Sequence, residues 1–142
     1  MFSYPDGHRW RVALPEQGAA QPLAMLVDDT PDVLTTTGKF LEAAGFAVVR
    51  TSDGQAALAA LSSDPKFILL VTDYAMPGLN GMELTEKAQE TIPDLKTVII
   101  TGFPGAEDFE RLPSNTALLV KPFRRNALMD ALRLWFEFTV VR

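Results

Sequence analysis

The sequence predicts an α/β fold, a doubly wound five-stranded parallel sheet with helices on both faces. Three observations point to it. Short apolar runs without alternation, such as Leu23–Val27 and Phe67–Thr72, read as strands buried on both faces. From Leu23 onward such runs alternate with helical stripes. Gly and Pro mark the joints between them. At 142 residues the chain fits one domain with a core of its own.

The elements follow in order. Residues 23–28 form the first strand. Pro31 suits the first turn of the helix that follows. Val33, Leu34, Leu41 and Ala44 make its stripe, and Gly45 ends it as a C-cap. Phe46–Thr51 is the second strand. Ser52 or Asp53 caps a helix over 54–62, with Ala57, Leu58 and Leu61 inward. Asp64-Pro65 breaks that helix before the third strand, 67–72. Met76–Gly81 is a tight loop, and a helix runs from about Met82 to Thr91, ended by Pro93. Thr97–Thr101 is the fourth strand. Gly102, Pro104, Gly105 and Pro113 leave room only for a short helix before the fifth strand, Ala117–Val120. A last helix spans about Arg124 to Phe136, with Leu128, Ala131, Leu132 and Trp135 at helical spacing.

Residues 1–22 differ in character. They hold Pro5, Gly7, Pro15, Gly18 and Pro22, and 17–22 reads as a flexible linker. Arg9–Leu14 has the pattern of one strand, with no partner expected in a domain that starts at Leu23. The other end, Trp135 to Arg142, is unusually apolar. Trp135 is expected under the last helix, and Phe138, Val140 and Val141 are expected to be exposed unless a partner covers them.

Composition excludes several functions. The net charge of −5, from 13 basic and 18 acidic residues, argues against non-specific nucleic-acid binding by this chain. The absence of cysteine excludes disulfide and thiol chemistry and fits a cytoplasmic setting. The single histidine, His8, lies outside every predicted element of the domain, which argues against a Ser-His-Asp triad. No apolar run approaches the roughly 18 residues of a membrane span.

What remains is acidic. Asp28 and Asp29 end the first strand, and Asp73 ends the third. In the common flavodoxin-like order 2-1-3-4-5 these strands are neighbours, so their carboxylates meet at the carboxyl edge, where open α/β sheets bind ligands. Each acid alone has a plain alternative, as a helix cap or a loop residue. The fourth strand, however, ends in Thr101 and the fifth in Lys121, at the same edge. Three carboxylates, a hydroxyl and an ammonium in one crevice suit a cation and a phosphoryl group. Clustered carboxylates repel unless a cation lies among them. Magnesium takes a few carboxylate oxygens and keeps several waters. Asp29 and Asp73 are expected to hold it directly, with Asp28 through water. Asp73 is then the candidate nucleophile, and Lys121 and Thr101 the partners of phosphoryl oxygens.

Four motifs, Leu26-Val27-Asp28-Asp29, Asp73–Gly81, Ile100-Thr101-Gly102 and Val120-Lys121-Pro122-Phe123, resemble those of response-regulator receiver domains of two-component signalling. The resemblance covers about residues 23–136. Receivers share the 2-1-3-4-5 order, so that order is the family's pattern rather than a deduction from this sequence. The resemblance implies that Asp73 accepts a phosphoryl group from the phosphohistidine of a histidine kinase, in cis or in trans. A histidine phosphotransfer protein is a further partner in such a relay. Asp28, Asp29 and Asp73 would form the Mg2+ site, with the main-chain carbonyl of Ala75 as a further ligand. Thr101 and Lys121 would sense the phosphoryl group, and the Lys121–Pro122 bond is expected to be cis. The domains implied are a linker or remnant of a preceding domain over 1–22, a receiver over 23–137, and an apolar tail over 138–142. The isolated chain is expected to be a phosphoacceptor and not an enzyme. A pseudo-receiver used only for docking is the alternative, and a homodimer through the tail is compatible with both.

The chain also departs from the pattern. Leu118 stands where receivers usually carry Tyr or Phe, three residues before the lysine. The stretch between Thr101 and Lys121 is short and rich in Gly and Pro, so a stunted fourth helix is expected. Ala75 and Phe103 cannot orient a hydrolytic water by hydrogen bonds, which implies a long-lived acyl phosphate. The stretch 7–15 is similar to the last strand of a histidine-kinase ATP-binding domain, favouring the receiver of a hybrid kinase over a stand-alone receiver. A haloacid-dehalogenase-type phosphatase is disfavoured, because neither acid cluster has the Asp-x-Asp spacing. No Gly-x-Gly-x-x-Gly follows the first strand, so a dinucleotide site is excluded.

Overall fold

A computed structural model describes residues 10–13, 21–103 and 110–139. Strand β1 is Trp10–Ala13, followed by β2 (Leu23–Val27), α1 (Pro31–Ala43), β3 (Ala47–Thr51) and α2 (Gly54–Ser63). Then come β4 (Phe67–Asp73), α3 (Gly81–Thr91), β5 (Lys96–Thr101), β6 (Thr116–Val120), α4 (Arg125–Leu132) and β7 (Phe136–Thr139). Five strands form one sheet in the order β3-β2-β4-β5-β6, every adjacent pair parallel. This is the expected 2-1-3-4-5 order, with β2 and β4 side by side.

Unbroken apolar runs are explained by two covered faces. On one face Ala24, Leu26, Leu69, Val71, Val98 and Ile100 pack against Leu41 of α1 and Leu128 and Leu132 of α4. On the other, Met25, Val27 and Leu70 pack against Ala57 and Leu61 of α2 and Leu84 and Ala88 of α3. Each fully buried Leu or Val contributes roughly 1.5–3 kcal/mol, so side chains on both faces of each strand stabilise the fold.

Local signals set most helix ends. Gly45 adopts φ 114°, the left-handed conformation that closes α1. Asp53, not Ser52, caps α2, accepting hydrogen bonds from the Gln55 and Ala56 backbone N–H groups. Helix α3 starts on a reciprocal cap. The Asn80 side chain accepts from Glu83 N at 2.8 Å, and Glu83 accepts from Asn80 N at 3.2 Å.

The C-terminal expectation is corrected. Helix α4 ends at Leu132 and does not run to Phe136. After a turn the chain becomes β7, which pairs in parallel with β1. The expectation that the N-terminal strand has no partner is thereby corrected too. Phe136 is fully buried and meets Phe46 edge-on at 5.3 Å, and Phe138 lies 6.2 Å from Phe46. An extended backbone points residues 136 and 138 to one side, so both rings reach Phe46, as a helix would not allow. Phe138 is therefore half-buried against the core and not exposed, and Trp135 is also half-buried. Val140 and Val141 lie outside the described residues. Phe46 directly precedes β3, so β7 sits at the amino edge of the sheet.

Between β5 and β6, residues 102–103 and 110–115 are not helical, and 104–109 lie outside the described residues. The sheet face there is covered by Met82, Tyr74 and Leu112, which pack with Ile99 and Leu118. Among the described residues, no helix is long and apolar enough to cross a membrane.

Candidate functional site

The carboxyl edge of the sheet brings the predicted residues together. Asp28 follows β2 and is fully buried. Its N–H donates to Thr51 O at 3.2 Å, and its Oδ1 accepts from Thr30 N at 2.9 Å. Its Oδ2 is buried and, among the described residues, accepts no hydrogen bond, with Lys121 Nζ 3.8 Å away. Asp29 is exposed at the rim. Asp73 ends β4 at 6% exposure, with its Oδ1 3.1 Å from Lys121 Nζ. One oxygen from each of the three acids lies within 4.8 Å of the others.

Electrostatics oppose ionisation of Asp73. Burial is the largest cause and raises its pKa above the ordinary 3.8. The Lys121 ammonium pulls it back through a hydrogen bond and its charge, while the Asp28 and Asp29 charges push it further up. A cation among the acids would relieve that repulsion. The donor set is hard oxygen, and the orphaned Asp28 Oδ2 gives it one buried acceptor without a donor, so the residues fit a magnesium ion.

Thr101 ends β5, one residue beyond Ile100, the register partner of Asp73. It is buried, and its Oγ1 accepts from Phe103 N at 3.0 Å. Lys121 follows β6, and its N–H donates to Thr101 O at 2.8 Å, so the two strand ends are tied. The Lys121–Pro122 bond is cis. Ala75 lies two residues beyond Asp73, with its side chain exposed. Leu118 is half-buried against Ile99 and Met82. Phe103 stands 82% exposed.

Sequence reasoning overlooked the residues that hold the acids in place. Gly81 is one. A Cβ there would come within 2.5 Å of the Asp73 carbonyl oxygen, so only glycine lets α3 start this close. Its N–H donates to Tyr74 O at 2.9 Å, and Tyr74 N donates to Ile100 O at 2.8 Å, pinning the loop after Asp73. Thr72 is another, its hydroxyl donating to the Asp73 carbonyl at 2.9 Å. The Asn80-Gly81-x-Glu83 pattern signalled the first. Nothing local signalled the second.

Known proteins resemble this chain in sequence and fold. Residues 24–133 match the family model of the response regulator receiver domain. The response regulator receiver protein CpdR of Brucella abortus is 36% identical over 108 residues, covering 75% of this chain and 89% of that one. The C4-dicarboxylate transport transcriptional regulatory protein DctD of Rhizobium meliloti is 34% identical over 118 residues, 75% of this chain but only 25% of that protein. A response regulator receiver protein from Sinorhizobium medicae superposes with TM-score 0.74 at 28% identity, covering 80% of this chain and 94% of that one. The receiver domain of the Pseudomonas aeruginosa sensor histidine kinase PA1611, solved with magnesium in its active-site cleft, gives 0.71 at 26% identity, covering 82% and 98%. By its sequence match, its strand order and these relatives, the chain belongs to the response regulator receiver domain family, the phosphoacceptor modules of two-component signalling.

Proposed function

We propose that this chain accepts a phosphoryl group on Asp73 from the phosphohistidine of a histidine kinase, with magnesium as cofactor. The observation that carries the reading is the buried Asp73 carboxylate, 3.1 Å from Lys121 Nζ and clustered with two further acids. An Asp73 oxygen forms the new bond to phosphorus as the bond from phosphorus to the imidazole nitrogen breaks. The imidazole leaves with the electron pair, and the product is an acyl phosphate.

Each side chain has a role in that step. Asp28, Asp29 and Asp73 would hold the ion, with the Ala75 carbonyl as a further ligand. Magnesium, when bound, would neutralise charge on the transferring oxygens. Lys121 already faces Asp73 and would pair with one phosphoryl oxygen. The Thr101 hydroxyl accepts from Phe103 N, so its own proton would donate to another. The module would act by docking in the cytoplasm, with the kinase in the same polypeptide or a separate one. Residues 23–137 would form the receiver, with β1 of the 1–22 segment paired to its last strand.

The test is intact mass after incubation with magnesium and a small phosphoryl donor, beside Asp73→Asn. One phosphoryl group gained by the parent and none by the variant supports the reading. Equal gain in both sinks the assignment to Asp73, and no gain in either, even with a purified histidine kinase, leaves a docking module.

A further inference from the structure

Strand β7 is held to the molecule by its side chains. Phe136 is fully buried against Phe46, and Phe138 packs on the same ring. Its backbone is used differently. It pairs with β1 in the register Trp10↔Phe136, Arg11↔Glu137, Val12↔Phe138 and Ala13↔Thr139. A basic residue thus stands opposite an acidic one, flanked by apolar residues opposite two phenylalanines. Opposite-charge and aromatic cross-strand pairs favour a register, and like charges in those positions oppose it.

Among the described residues the two strands form a sheet of their own. A two-stranded sheet is marginal by itself, so this pairing opens more readily than the main sheet. Nine residues of sequence, 14–22, separate β1 from β2, and nine residues can span at most about 30 Å. The acceptor edge is therefore built by β7, and the strand that fills it is connected to β2 through nine residues of sequence.

We infer that β7 is a docking site for the strand Trp10–Ala13, filled by the chain's own strand when single and by that of a second copy in a strand-exchanged dimer. The register supplies the selectivity, through Arg11 opposite Glu137. A short tether gives the chain's own strand an effective concentration on the order of 1 mM, so micromolar chains stay closed. Exchange takes over when copies are concentrated or when the internal pairing is weakened. Reciprocal exchange closes on a two-fold axis and extends no further. Because β7 lies at the amino edge, the dimer leaves the acidic crevice open, and this inference stands apart from the phosphoacceptor reading.

A charge swap between two full-length chains tests it. Arg11→Glu and Glu137→Arg each set like charges opposite one another within a chain. Mixed together, both exchanged pairings become opposite in charge. Sedimentation velocity of the mixture at about 100 μM should show a one-to-one dimer, bound at least tenfold more tightly than the parent or either variant alone. The double variant should return to monomer. Roughly 1 M salt should weaken the mixed dimer. A mixture that stays monomeric while both variants are folded overturns the inference, as does a dimer indifferent to the swap. Should a charge variant fail to fold, Val12→Pro serves instead, because proline breaks the strand pairing. The Val12→Pro chain should bind a peptide of residues 8–15 that the parent excludes, and failure to bind it counts against the inference.

Discussion

Replacing Asp73 by Asn should stabilise the protein when magnesium is absent and handicap it when magnesium is present. The attraction between Asp73 and Lys121 at 3.1 Å is about 5 kcal/mol at an effective dielectric near 20. Against it stand two carboxylates within 4.8 Å, each repelling by about 3.5 kcal/mol on the same scale. Water around the exposed Asp29 and the one-third exposed Lys121 trims these values, and burial adds a further cost to the charge. The balance against the ionised carboxylate is about 1–2 kcal/mol, which Asn removes while still offering Lys121 an oxygen. In a chelator, the thermal midpoint should rise by about 2–8 °C in the variant.

The pH dependence has a definite sign. The folded-state pKa of Asp73 is raised, so the cost of its charge is absent below the ordinary value of 3.8. The cost appears as pH climbs through the window up to the folded pKa and is constant above it. The gap between Asn and parent should therefore widen as pH rises above 3.8 and close as pH falls toward it. Magnesium at about a hundred times its dissociation constant stabilises a competent site by about 2.7 kcal/mol, enough to reverse the ranking. Calorimetry with chelator and with magnesium, at neutral and acid pH, reads all of this. A variant less stable than the parent in chelator, or an equal magnesium shift in both, would refute the reasoning.

Three other perturbations have expected outcomes. Phe136→Ala removes a fully buried ring from the Phe46 cluster and should cost about 3–5 kcal/mol in urea unfolding, against well under 1 kcal/mol if the segment were a loose tail. Gly81→Ala forces a Cβ against the Asp73 carbonyl, so the loop must shift; stability in urea unfolding should fall by about 1–3 kcal/mol, and phosphoryl acceptance followed by intact mass should slow. The acyl phosphate should outlast seconds, because Ala75 and the exposed Phe103 offer no side-chain hydrogen bond to water; loss of phosphate followed by intact mass gives the lifetime, and a half-life of seconds rejects the expectation.

Much of the site is legible in the sequence, because its residues sit at positions with local signatures. Each acid closes an unbroken apolar run, and Thr101 and Lys121 close two more, so parallel strands carry them to one edge. Gly45 and Asp53 are equally local, one defined by a left-handed φ and one by a cap. What each carboxylate does at that edge is not local. Asp28 and Asp29 are neighbours in sequence, yet one is sealed with an orphaned oxygen and the other lies in solvent. The twist of the chain into α1 separates them, and no pattern of residue types records it.

The C-terminus shows the same division. Leu128, Leu132 and Phe136 fit a helical period, and that period alone extends α4 by a turn. The same Phe136 fits a strand period with Phe138 equally well. The decision came from residues far away in sequence, the Phe46 ring and the backbone edge of β1. The sequence alone determined the alternation of strands and helices, the acids at their ends and most of the caps, because those depend on neighbours a few residues apart. Tertiary structure alone decided which strand Phe136 joins, how deep each acid lies and how closely Gly81 approaches Asp73, because these depend on distant segments meeting at short range.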